Sequence, residues 1–106
     1  MDAQTEDRIR FRLVVMLTAV MTDLYRSAVR EKKKRMVEEM PLRSYLRRDA
    51  GLIDCNSKET EYYVNDLLQR LTQAMFWVIP DPYFGIVRYN RLPNGLAMVA
   101  MTVERR

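Results

Sequence analysis

The chain has 106 residues, 48% of them hydrophobic and 30% charged, with 18 basic side chains against 14 acidic ones and a net charge of +4. That length predicts a single small α+β domain over 1–106, and that hydrophobic content excludes a wholly disordered chain. Histidine is absent and Cys55 is the one cysteine, which excludes an internal disulfide and a structural zinc site and removes the commonest general base.

The first seven residues are acidic and polar and do not read as a signal peptide. The longest apolar run, Leu13–Met21, is about half the ~20 residues a membrane span needs. A lone cysteine fits a reducing, intracellular setting, cytoplasmic or nuclear. The isoelectric point near 9.5 is compatible with nucleic acid but not diagnostic of it.

The periodicity predicts one long amphipathic helix over Asp7–Met40, with its apolar part at Ile9–Val29. At about 100° per residue, Ile9, Leu13, Met16, Leu17, Val20, Leu24 and Ala28 share one side, and Val14, Met21 and Tyr25 widen it to about half the cylinder. A helix this apolar is expected to touch more than one neighbour. Thr5 is the expected N-cap, with Glu6 and Asp7 in the first turn. Beyond Val29 the run Arg30–Arg35 is nearly all charged, and Pro41 ends the helix.

The back of that helix carries a second pattern. Arg8, Arg12, Arg26, Arg30 and Lys33 fall on one narrow strip, and Lys34 and Arg35 extend the charge. The strip reads either as a solvated helix back or as a basic track for phosphates or an acidic partner.

A short connector helix is expected at Leu42–Arg48, with Arg43, Arg47 and Arg48 on one face and Gly51 as a stop signal. A second amphipathic helix follows at Lys58–Phe76. Tyr63, Val64, Leu67, Leu68, Leu71, Ala74, Met75 and Val78 form its stripe, and Tyr62, Asn65, Asp66, Gln69 and Gln73 its polar side. Phe76 and Trp77 lie off the stripe and must pack on the following segment or on another chain.

Tyr83–Glu104 reads as a C-terminal antiparallel β-hairpin turning at Leu92–Leu96. Two registers compete: a type I turn with a bulge at Gly95, or a tight Asn94-Gly95 turn. The bulged register sets Val87 opposite Met101 and Tyr89 opposite Val99, with Val103 on the same face. The tight register faces Arg88 with Met101, so side-chain matching selects the bulge. The other face, with Ile86, Met98 and Ala100 beside Arg88 and Thr102, stays fairly apolar. Because a lone hairpin is marginal in water, this one needs cover on both faces or on its edges.

No catalytic signature emerges. Gly51, Gly85 and Gly95 are too far apart for a phosphate loop, and no serine has a histidine to activate it. Cys55 follows Asp54, which disfavours a thiolate. Glu38-Glu39 and Glu59/Glu61 read as helix-surface charges. The expectation is a non-enzyme with no metal, cofactor or small-molecule substrate.

The leading reading is a protein-interaction and assembly module, a homodimer or a small subunit of a larger complex. Its expected interface residues are Met16, Val20, Leu24, Phe76, Trp77, Tyr89, Met98 and Met101. Eight methionines add adaptable contact surface. The alternative is a small, dimeric, basic nucleic-acid-binding protein. Short helix, helix and hairpin follow the order of a winged helix-turn-helix, with contacts from Arg8, Arg12, Arg26, Arg30, Lys33, Lys34, Arg35 and Arg47. A third reading is an inhibitor-type protein that blocks a larger enzyme.

Overall fold

Ile9, Leu13, Leu17, Val20, Leu24 and Ala28 recur every three or four residues, and in a computed structural model of the protein they close one buried side of a helix. The structure describes residues 3–41, 58–74, 79–91 and 97–106. Helix α1 (Ala3–Glu31) is followed by strand β1 (Arg35–Pro41), helix α2 (Lys58–Ala74), and strands β2 (Tyr83–Arg91) and β3 (Ala97–Arg105). The expected connector helix at Leu42–Arg48, with Arg47, lies outside the described residues. So do Phe76, Trp77, Gly95 and the turn Leu92–Leu96.

The strands form one antiparallel sheet of three in the order β1-β3-β2. The hairpin pairs in the register expected for a bulged turn, with Val87 opposite Met101 and Tyr89 opposite Val99. Both helices lie on one face of this sheet. There Val87, Val99, Met101 and Val103 meet the α1 stripe and Val64 and Leu68 of α2 in one core. Met36 and Met40 of β1 extend that core, half-buried. At about 1.5 Å per residue, the 29 residues of α1 run the length of the molecule, whose longest axis is 43 Å.

The first helix is shorter than its sequence suggests. It ends at Glu31 instead of reaching Met40, and the charged run reverses direction at Lys32, which takes a left-handed φ of 54°. The Lys33 N–H donates to the Ala28 carbonyl at 3.0 Å and the Lys32 N–H to that of Val29 at 3.3 Å. This is a Schellman cap, which satisfies the helix's last carbonyls. The chain then returns as β1, with Met36, Glu38 and Met40 toward the helices and Val37, Glu39 and Pro41 on the opposite face. Glu38 and Glu39 therefore sit on opposite faces of an edge strand, not on a helix surface. At the other end α1 already includes Ala3, so Thr5 lies within its first turns and does not cap it.

Two contacts fix α2 and the hairpin against α1. The Tyr63 hydroxyl donates to the Glu6 carbonyl at 3.1 Å. A hydrogen bond between Tyr63 and the Arg10 guanidinium, helped by nearby Asp7, raises the Arg10 pKa above its ordinary value. The rings of Tyr25 and Tyr83 pack edge to face. Asn65 departs from its expected place on the polar side of α2: it is only 8% exposed, and its Oδ1 has no hydrogen-bond partner among the described residues.

Candidate interaction surfaces

Side chains alternate across a strand, so the residues between Val99, Met101 and Val103 project from the sheet face away from the helices. The register lines them up in cross-strand rows. Val37, Thr102 and Ile86 form one row, Glu39, Ala100 and Arg88 the next, and Pro41, Met98 and Asn90 a third. At the far end Arg35 pairs with Glu104, 3.4 Å between charged atoms, beside Phe84. Two strand spacings separate the β1 and β2 members of a row, roughly 10 Å.

This outer face is apolar along its centre and charged at its flanks. Val37 is 41% exposed, Ile86, Met98 and Ala100 are half-buried, and Glu39 and Arg88 reach solvent. Thr102, between Val37 and Ile86 in its row, is only 7% exposed. No helix among the described residues lies on this side. β1 covers the free edge of β3, which answers in part the need of a two-stranded hairpin for further support.

The solvent side of α1 carries the second surface. Phe11 is 65% exposed, and Val14, Val15 and Val29 are also open to solvent. From Phe11 through Val15, Thr18 and Thr22 to Val29 this strip holds no charge. Arg8, Arg12, Arg26 and Arg30 lie exposed along its flank, as the helical spacing requires, and Arg30 contacts the Ser27 hydroxyl at 3.4 Å. Lys33, Lys34 and Arg35 do not continue that strip, because the helix has ended: Lys33 meets Glu31 at 3.4 Å, and Arg35 opens β1.

The expected interface residues are dispersed. Val20, Leu24 and Met101 belong to the chain's own core, Met16 and Tyr89 pack half-buried against it, and Met98 lies on the outer sheet face. Val14, expected on the apolar side of the helix, is instead 36% exposed, and with Phe11, Val15 and Val29 it belongs to an uncharged strip at helical spacing on the solvent side. Among the described residues no group of acidic or cysteine side chains could hold a metal ion, and no helix is long and apolar enough to cross a membrane.

No protein-family model matches the chain, and no curated protein or solved structure matches it. The class that these elements define is a mixed α+β fold with two helices on one face of a three-stranded antiparallel sheet.

Proposed function

We propose that the chain is a non-enzymatic protein-interaction and assembly module, acting as a homodimer or as a small subunit of a larger complex. The observation that carries this reading is the apolar outer face of the sheet, centred on Val37, Ile86 and Met98. Contiguous apolar surface rimmed by charge is the signature of a contact site rather than of solvated surface. A sequence without histidine, phosphate loop or paired carboxylates supports the non-enzymatic part.

The exposed row of Arg8, Arg12, Arg26 and Arg30 favours a second reading, a basic track for nucleic acid. Size-exclusion chromatography with light scattering, run alone and with duplex DNA or single-stranded RNA, separates the two. Assembly without nucleic acid supports the module. A monomer that shifts only with nucleic acid, at physiological salt, replaces it with the second reading.

A further inference from the structure

We infer that the outer face of the sheet docks on the same face of a second copy of this chain, about a two-fold axis parallel to β3. This rests on the assembly reading above and names its partner and geometry. The argument is one of charge complementarity. A two-fold interface uses one patch twice, so the patch must complement itself. β1 and β2 flank β3 on either side. An axis along β3 lays the β1 of each protomer over the β2 of the other and keeps every row level.

Glu39 of one protomer then meets Arg88 of the second copy, and Arg88 meets its Glu39. The same operation sets Val37 over Ile86, while Met98, Ala100 and Thr102 meet their own counterparts along the axis. The small Ala100 and Thr102 at the centre permit the usual spacing of about 10 Å between packed sheets. The natural angle of about 30° between packed sheets displaces the flanking strands by only about 2.5 Å, well within reach of an arginine side chain.

Other arrangements lose this match. An axis across the strands through the Glu39 row sets Glu39 on Glu39 and Arg88 on Arg88. Moved between rows, it sets Glu39 on Val37 and Arg88 on Ile86. The uncharged strip on α1 is less suited to a second copy: antiparallel self-pairing there would oppose Arg12 and Arg26. Like charges set against each other at an interface disfavour the pairing.

Charge-swap variants test the geometry. Glu39→Arg and Arg88→Glu are exposed substitutions, and thermal melts establish that each variant stays folded. In either homodimer both cross pairs become like-charged, and sedimentation analysis should find dimerisation at least about tenfold weaker than in the parent. An equimolar mixture of the two variants restores opposite charges at both pairs, and a heterodimer of parental affinity should form. A partnership within one chain cannot be restored by mixing. If the parent dimerises and both variants dimerise equally well, or if mixing fails to restore affinity, the docking geometry is wrong while the assembly reading stands. A parent that remains monomeric at high micromolar concentration overturns this inference together with the self-assembly it rests on.

Discussion

The rings of Tyr25 and Tyr83 meet in a T, with 5.5 Å between centroids and 86° between planes. The contact joins the C-terminal part of α1 to the first residue of β2, elements far apart in the chain. Edge-to-face pairs contribute about 0.5–1.5 kcal/mol beyond the area they bury. A double-mutant cycle of Tyr25→Leu and Tyr83→Leu, followed by urea denaturation, should return a coupling of that size. Strictly additive losses would show that the rings contribute burial alone.

Lys32 holds a left-handed conformation at the helix cap, where a side chain with a Cβ costs about 1–2 kcal/mol. Lys32→Gly should therefore raise the unfolding free energy by up to about 1 kcal/mol, after the greater freedom of glycine in the unfolded chain is subtracted. A lower midpoint in chemical denaturation would mean that the lysine side chain stabilises the turn by more than its backbone costs.

The buried Asn65 carries an amide oxygen that finds no hydrogen-bond partner among the described residues. A buried acceptor left unsatisfied costs about 1–3 kcal/mol. Asn65→Leu keeps a branched side chain of similar outline and removes that acceptor. Its melting temperature should exceed that of the parent, and a marked drop would show that the amide makes a stabilising bond in solution.

The arginine row on α1 divides the two functional readings. Arg26→Glu with Arg30→Glu alters exposed positions, so stability should change by less than about 1 kcal/mol. If the row only faces solvent, assembly is unchanged too. If it tracks phosphates, about four contacts would weaken binding by about 10²-fold between 50 and 200 mM salt, and the double substitution would abolish it. The assembly reading expects no binding to labelled duplex DNA or single-stranded RNA to survive at physiological salt.

Much of the fold was legible in the sequence because periodicity reports burial directly. The α1 stripe from Ile9 to Ala28 is the buried side, and the cross-strand matching of Val87 with Met101 selected the right hairpin register. The third strand was not read. Its charged approach, Arg30–Arg35, prolongs the helix pattern, and no glycine marks the reversal at Lys32. The available signal was the short alternation of Met36, Glu38 and Met40 with Val37 and Glu39. The candidate interface was less legible. Apolar spacing cannot distinguish burial within a chain from burial between chains, so Val20, Leu24 and Met101 fit an interface as well as a core, and the chain's own core takes them. The outer-face rows depend on β1 lying beside β3, a long-range pairing that no local pattern announces.

The central claim is that the chain is not a free monomer, and sedimentation equilibrium of the parent over a wide concentration range tests it most directly. The account predicts a mass that rises with concentration to twice the 12.6 kDa of one chain. A single species of 12.6 kDa persisting at high micromolar concentration would contradict it.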